Sequence, residues 1–437
     1  MLQNLEELKN KYNMSIQGMI HIGAHRGQEY SIYHQLGIKN LMFFEPIPKL
    51  FKEMKRKAQG VLVNKALGNY NGKGTLYVAN NEGASSSLLE PLLHKVIRPE
   101  ITFERTIEVD VVRLDDELQD KEKYNFITID VQGYELEVFK GALETLKGID
   151  YIIAEINKIE LYRDGARINE LDDFLSDYYK VEVKMADPAW GDALYIRKEV
   201  INTVKPTFNG MIALYCLNPY KDFDYNTFVD KHKVKAFVKD TVKVSKELAY
   251  FTTPEEIDNF NYSSLPEKFI IKGTHGCGWN IFSPDLELMK EWLNIKYNVE
   301  EEKQYAQVQP GVLIEEYLDV KENNYKFHVI NGTVEFIQYM KGSETRYESF
   351  LSSEWNKLPM TGLHEPICEE IPKPNSFEEM LKIVQELVVK INCPKYVRID
   401  IYEVNGEVYF GEYTFTPTGG RASLYPYEYD KKYGELI

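Results

Sequence analysis

The chain has 437 residues, 43% of them hydrophobic and 27% charged, with a formal net charge of −16. That length predicts about two to three domains, and the balance is that of an ordinary globular protein. The acidity argues against non-specific binding to nucleic acid or anionic membrane. Cys216, Cys277, Cys368 and Cys393 are scattered, without zinc or disulfide spacing, so a reducing cytoplasm is the expected setting. Residues 1–18 are polar, with Leu2, Leu5 and Leu8 in helical spacing. They lack the apolar centre of a signal peptide, and no later run reaches membrane-spanning length.

Residues 19–22 are a short apolar run that reads as a buried strand. It breaks into Gly23-Ala-His-Arg-Gly27, and residues 28–36 suit a helix. Strand, glycine turn and helix open a nucleotide-binding α/β domain. Glycine lets backbone approach a ligand, and a helix N-terminus offers unpaired N–H groups. The next run, residues 41–44, ends in Glu45-Pro46, where an acidic side chain can accept hydrogen bonds from a ribose diol. Further strands are expected at 60–63, 74–78, 105–112, 126–129, 151–155, 179–184 and 193–196, and helices at 48–57, 136–146 and 168–178. This alternation predicts a mostly parallel sheet with helices on both faces, closed by an antiparallel pair.

Ligands of such sheets lie beyond the carboxyl ends of the strands. Gly23 to Gly27, Glu45, Asp130 and Glu155 each follow an apolar run and can face one crevice. Asp130 also suits the N-cap of the helix at 136–146, and Asp192 suits a turn before the last strand. Asn64 and Ala66 follow the third strand and suit the edge and face of a base. Residues 200–210 carry Pro206, Gly210 and no period, which marks a linker between domains 1–199 and 211–437.

The second half reads as α+β with antiparallel hairpins. Helices are expected at 226–233, 255–259, 286–296 and 377–390. Strands are expected at 268–272, 312–317, 325–330, 334–340, 397–402 and 408–414. Lys272 ends a strand just before Gly273-Thr-His-Gly276-Cys-Gly278, which suits a phosphate clamp or a bare glycine turn. Glu315 and Glu316 end a strand whose backbone reads adenine, or that is merely an edge with solvated charges. Arg398, Asp400 and Tyr402 share one face of a strand, as do Glu412 and Thr414 on the next. Between them Asn405-Gly406 signals a hairpin. A strict two-residue turn pairs position 400 with 411. Bringing Asp400 opposite Glu412 therefore needs one extra residue, expected as a glycine bulge at Gly406. Two facing acids with a hydroxyl suit Mg²⁺ bridged to nucleotide phosphates; a solvated sheet face is the plainer alternative. Tyr425 to Tyr433 suit a sugar-stacking platform or core packing.

Several motifs of the first half, in order, resemble FkbM-type S-adenosylmethionine-dependent methyltransferases. They are His21-Ile-Gly-Ala-His-Arg-Gly27, Phe44-Glu-Pro46, Asn64-Lys-Ala-Leu-Gly68, Ser85-Ser-Ser-Leu88, Arg113-Leu-Asp-Asp116, Ile129-Asp-Val-Gln-Gly-Tyr-Glu135 and Gly191-Asp-Ala-Leu194. The resemblance covers roughly residues 16–198 and implies a Rossmann-like fold. It implies that Gly23, Ala24 and Gly27 surround the methionine part of the cofactor, with Glu45 on the ribose and Asn64 and Ala66 near adenine. Asp130 would lie beside the transferred methyl, orienting or deprotonating an acceptor hydroxyl. The common form has Asp where this chain has His21, so the ammonium contact passes to Asp130 or a water. In-line positioning and a base suffice for the chemistry, without a metal.

Residues 211–437 resemble the TupA-like ATP-grasp family. The resemblance rests on Asp230-Lys-His-Lys-Val234, Lys268-Phe-Ile-Ile-Lys272 with His275-Gly-Cys-Gly278, Glu315-Glu-Tyr-Leu318, Tyr325-Lys-Phe327, Val397-Arg-Ile-Asp-Ile-Tyr402, Gly411-Glu-Tyr-Thr-Phe415 and Gly419-Gly420. It implies that Lys235 and Lys272 hold ATP phosphates under a loop that includes His275, Gly276 and Gly278. Backbone at Glu316 to Leu318 would meet adenine. Asp400, Glu412 and Thr414 would carry Mg²⁺, and Arg398 would stabilise the transferring phosphoryl group. The implied protein is a cytoplasmic, bifunctional, polysaccharide-modifying enzyme. Its partners would be a sugar or glycan precursor carrying hydroxyl and carboxylate, and a small amine; an oligomer is compatible with this. The reactions are O-methylation and amide formation through an acylphosphate. The alternatives for the second half are a phosphotransferase (kinase) and a non-catalytic glycan-binding or dimerising module.

Overall fold

The structure, a computed structural model, describes residues 2–297, 301–320, 324–342, 347–362, 367–368, 371–393 and 395–437. The chain divides into two compact units, Met1–Lys205 and Pro206–Ile437.

The strands of the first unit are β1 (Gly18–Ile22), β2 (Asn40–Phe44), β3 (Val61–Val63), β4 (Ala66–Leu67), β5 (Gly72–Val78), β6 (Arg105–Val112), β7 (Phe126–Ile129), β8 (Tyr151–Asn157), β9 (Tyr178–Met185) and β10 (Trp190–Arg197). Seven form one sheet in the order β3-β2-β1-β7-β8-β10-β9. Pairing is parallel from β3 to β8, and β10 is antiparallel to both of its neighbours. Side chains along β1 alternate between faces. Ile20 and Ile22 pack with Val138, Phe139 and Leu171 from helices Glu135–Lys140 and Ile168–Phe174. His21 points the other way and meets Tyr33 of helix Tyr30–Gln35. Burial on both faces is why these strands read as continuous apolar runs.

The strands expected at 74–78 and 105–112 form, but they leave the main sheet and make a separate one, β4-β6-β5. In β6, Val109 and Val111 are buried while Glu108 and Asp110 are exposed, the pattern of a sheet with one wet face. The helix expected at 136–146 is two helices, Glu135–Lys140 and Leu143–Leu146. Between them lies Gly141, where a Cβ would fall 1.9 Å from the Gly68 carbonyl oxygen.

Residues 200–210 are not an irregular linker. Helix Lys198–Val204 runs into them, Lys205 adopts φ 44°, and Thr207 caps helix Phe208–Leu217 by accepting the Gly210 N–H at 3.2 Å. That helix is buried almost all round, so no amphipathic period announces it.

The second unit holds β11 (Glu247–Phe251), β12 (Phe269–Gly273), β13 (Asn280–Ile281), β14 (Val312–Glu316), β15 (Asn324–Ile330), β16 (Thr333–Lys341), β17 (Tyr347–Leu351), β18 (Tyr396–Val404) and β19 (Glu407–Thr414). They form two antiparallel sheets, β11-β14-β12-β13 and β17-β16-β15-β18-β19. Helix Phe377–Ile391 places Met380, Val384 and Leu387 in one core with Phe327, Ile399 and Ile401 of the larger sheet. The helix expected at 226–233 is replaced by helices Tyr225–Phe228 and Lys233–Val238. They part at Asp230, whose buried carboxylate accepts the N–H groups of His232 and Lys233 at 2.8 and 3.1 Å. Among the described residues no helix is long and apolar enough to cross a membrane.

Candidate active sites

The strand order of the first sheet reverses between β1 and β7, the position at which open α/β sheets take ligands. The loops leaving those strands touch: a Cβ on Gly23 would lie 1.9 Å from the Asp130 carbonyl oxygen, and Gly23 sits at φ +78°, so only glycine passes there. The cleft at this crossing is lined by Gly23, Ala24, Glu45, Ala66 and Asp130, joined by Asp192 of β10.

The donors of the glycine turn are spent within the protein. Gly23 and Ala24 both donate to the Phe44 carbonyl, at 3.0 and 2.9 Å. The N–H of His25 reaches Glu45 Oε2 at 2.8 Å, and that of Ile47 reaches Oε1 at 2.7 Å. Glu45 thus laces two loops together, and each oxygen keeps a lone pair for one more donor. Burial pushes Glu45 up to about 7, against the pull of those two N–H bonds. The helix expected to offer its N-terminus begins only at Tyr30 and is six residues long. Two expected cofactor positions lie off the cleft. Asn64 gives its amide to the carbonyls of Glu45 and Pro46, at 2.8 and 3.1 Å, and so pins their turn. Gly27 faces Met54, whose Cγ would stand 3.0 Å from an added Cβ, which makes it a packing position.

Asp130 is not the cap of the following helix; Tyr134 occupies that place. Its Oδ1 instead accepts from Gln132 Nε2 at 2.8 Å, and the same nitrogen donates to Glu155 Oε2 at 2.6 Å. Gln132 Oε1 in turn accepts from the Tyr162 hydroxyl at 3.0 Å. Glu155 stays behind the lining, buried and directly across the strand pair from Asp192. Asp192 is a strand residue rather than a turn cap. Burial raises both, Glu155 with help from Asp130. His21 enters the cleft as a neutral ring, because burial lowers its pKa and Nδ1 meets the Tyr33 hydroxyl at 3.0 Å. Gln132 was missed in the sequence reading. Its signal is a non-glycine residue held at φ +58°, which sequence does not display.

In the second unit a cleft is lined by Lys231, Gly276, Cys277, Arg398, Glu412 and Thr414. Lys231 was not singled out from sequence. Its Nζ donates to the carbonyls of Gly273, at 3.0 Å, and of Gly276, bracketing the glycine loop between β12 and β13. Burial lowers its pKa, with Glu412 working against that. Lys235 and Lys272 do not line this cleft and converge on Glu315, Lys272 at 2.5 Å. Burial works to raise Glu315, but the two ammonium groups outweigh it and hold it below the usual carboxylate range. Strand β14 lies between β11 and β12, so Glu315 and Glu316 do not sit on an edge. Glu316 Oε1 accepts the Lys246 N–H at 2.7 Å, and Leu318 follows half-buried beyond the strand. His275 is turned inward. Its Nε2–H donates to the Ile295 carbonyl at 2.8 Å, so it props the loop rather than facing a ligand. Gly278 sits at φ +75° with open space around it.

Asp400 and Glu412 are register partners. Arg398 Nε donates to Asp400 Oδ1 at 2.6 Å. Its Nη2 stands 2.9 Å from each of Asp400 Oδ2, Glu412 Oε1 and Thr414 Oγ1. Lys326 Nζ adds a bond to Asp400 Oδ2 at 2.6 Å. Burial works to raise Asp400, and Arg398 and Lys326 overcome it, leaving the carboxylate ionised.

A family model described as TupA-like ATPgrasp matches residues 212–437. The chain belongs to that family. A second model, the methyltransferase FkbM domain, matches residues 21–181. The 2-O-methyltransferase NoeI of Sinorhizobium fredii (strain NBRC 101917 / NGR234) is 27% identical over 173 residues, which is 37% of this chain and 71% of that protein. Among solved structures, the D-alanine–D-alanine ligase of Bacillus anthracis complexed with ATP shares 17% identity at a TM-score of 0.29, over 44% of this chain and 55% of that one. The magnesium protoporphyrin IX methyltransferase of Synechocystis PCC 6803 with bound SAM shares 10% at a TM-score of 0.25, over 41% and 69%. The chain thus spans just over half of the ligase. Its residues 212–437 are a TupA-like ATP-grasp half, preceded by a stretch that the methyltransferase FkbM domain model matches.

For a divalent cation in the ATP-grasp half, the donor set is two carboxylates and a hydroxyl, all hard oxygens of the kind Mg²⁺ takes. A guanidinium nitrogen stands at the point where the three converge, so a cation fits the charge of the place. Among the described residues no group of three or more His, Cys, Asp or Glu forms a metal cluster; an octahedral ion held by these three oxygens would complete its shell with water or substrate oxygens.

Proposed function

We propose that the FkbM half transfers a methyl group to a hydroxyl, and that the ATP-grasp half, with Mg²⁺, activates a carboxylate as an acylphosphate for attack by an amine. A sugar or glycan precursor carrying both groups is the proposed substrate. The observation that carries this reading is the Arg398–Asp400–Glu412–Thr414 constellation, in which Arg398, Glu412 and Thr414 line a cleft together with Gly276 and Cys277 of the glycine loop and Asp400 is buried behind them.

In the methyltransferase half, Glu45 accepts the ribose hydroxyls while its N–H bonds hold the two loops in place. Ala66 leaves room for a flat base, and Gly23 and Ala24 give the methionine part a surface with nothing larger than a methyl group. Asp130, oriented by Gln132, would take the acceptor proton as the oxygen bonds the methyl carbon and the carbon–sulfur bond breaks, leaving a neutral thioether. The sulfonium is already an activated donor, so position and a base complete the chemistry. The name of NoeI, a 2-O-methyltransferase, supports oxygen as the acceptor atom.

In the ATP-grasp half, Lys231 and the glycine loop take phosphate oxygens, with Lys235 and Lys272 sharing Glu315 alongside. Asp400, Glu412 and Thr414 hold Mg²⁺, which supplies charge neutralisation on the phosphates. Arg398 faces the phosphoryl group as it passes to the carboxylate.

Thermal melts with S-adenosylmethionine and with Mg·ATP, each alone, test the two halves, since a ligand of the native state raises the melting point. Phosphate release that requires both a carboxylate and an amine supports the ligase reading; a phosphorylated acceptor replaces it with a kinase.

A further inference from the structure

Arg398 Nη2 carries two N–H groups, yet three oxygens crowd it at 2.9 Å, one each from Asp400, Glu412 and Thr414. Those are the three residues proposed to hold Mg²⁺. The arrangement is built, not incidental. Arg398 is locked by its second bond to Asp400, Nε to Oδ1 at 2.6 Å. Asp400 is only 1% exposed, and Thr414 Oγ1 bonds Glu412 Oε1 at 2.8 Å, closing the ring. With Lys326 on Asp400, two positive and two negative groups balance. A dication entering this set would meet a guanidinium already at the focus of its ligands, and two cations cannot share it at contact distance.

We infer that Arg398 is the resident counter-cation of the metal-ligand set, holding the three oxygens pre-arranged and excluding divalent metal until nucleotide phosphates draw the guanidinium away. Arg398 is then a positioning residue for metal loading as well as a partner of the phosphoryl group. Nucleotide and metal enter as a coupled pair, because the phosphates supply both a new partner for Arg398 and ligands for the ion. This inference rests on the Mg·ATP reading of the site.

The test measures Mn²⁺ binding by electron paramagnetic resonance, with and without ADP, in the full chain and in Arg398→Gln and Arg398→Ala. Wild type should bind Mn²⁺ alone weakly and gain about tenfold or more with ADP. Either variant should bind Mn²⁺ alone about tenfold tighter than wild type and show a smaller gain with ADP, a coupling in the usual range. Methylguanidinium added to Arg398→Ala should displace Mn²⁺, a response that a general loss of packing would not give. A variant that folds, by its thermal melt, but binds Mn²⁺ alone no better than wild type overturns the inference. So does indifference to methylguanidinium. Should one variant not fold, the other carries the same comparison. If both fail to fold, wild type must still bind Mn²⁺ alone about tenfold more weakly than with ADP, and equal binding in the two conditions overturns the inference. A wild type that takes up neither ADP nor Mn²⁺ with ADP sinks the nucleotide-site reading instead.

Discussion

Asp400 stands directly opposite Glu412 across the β18–β19 hairpin, and the residue that makes this possible is Gly411. The turn itself is a strict two-residue one: Val404 pairs with Glu407, while Asn405 and Gly406 both take positive φ. The extra residue expected at Gly406 sits five positions on, where the register slips between Asp400 and Ile401 and Gly411 is left unpaired. A bulge there returns Glu412 and Thr414 to the face of Asp400 and Arg398.

Gly411→Ala tests that device. A Cβ at 411 would lie 2.7 Å from Tyr402 Cζ, and overpacking of this kind costs about 1–3 kcal/mol. Urea denaturation should show that loss, together with weaker binding of Mg·ADP. A variant as stable as wild type would show that the ring yields freely.

Glu315→Gln removes the shared counter-charge of Lys235 and Lys272. Because Glu315 is buried, leaving two ammonium groups without it should cost about 3 kcal/mol. The pH dependence has a definite sign. Glu315 is held below its ordinary value of 4.5, so its contribution is complete above that pH and fades as pH falls through the lower folded value. Urea midpoints at about pH 7 and pH 3 should show the gap between wild type and variant narrowing in acid.

Glu45→Gln replaces one acceptor oxygen by an amide that cannot receive the N–H of both His25 and Ile47. Calorimetry at neutral pH should show about tenfold weaker S-adenosylmethionine binding. Burial raises Glu45 to about 7, and the ionised form is the better acceptor for ribose hydroxyls. The wild-type advantage should therefore widen from about pH 6 to pH 8 as the carboxylate loses its proton. An advantage independent of pH would place the ribose elsewhere.

Gln132→Leu leaves Asp130 and Glu155 without the amide that bridges them and takes an acceptor from the Tyr162 hydroxyl. Unfolding should become easier by about 1–3 kcal/mol. S-adenosylmethionine binding should change less than methyl transfer, because Gln132 acts through Asp130.

By itself the sequence determined the elements and the residue types of both clefts. Apolar runs ending in Gly23, Glu45 and Asp130, and the two-residue period of Arg398, Asp400 and Tyr402, are local properties, and local sterics and burial dictate them. Partners were decided only in three dimensions. Glu45 was legible as an acid at a strand tip, but not as the tie between His25 and Ile47. Lys235 and Lys272 were legible as cations, yet both converge on Glu315, while Lys231 lines the cleft. The helix Phe208–Leu217 was hidden because burial all round erases the period that marks a helix. The bulge was placed at Gly406 because turn chemistry is local, whereas its true seat depends on where the Tyr402 ring leaves no room for a side chain. Hydrogen bonds and ion pairs between distant residues depend on distance and direction after packing, and one-dimensional order does not contain these.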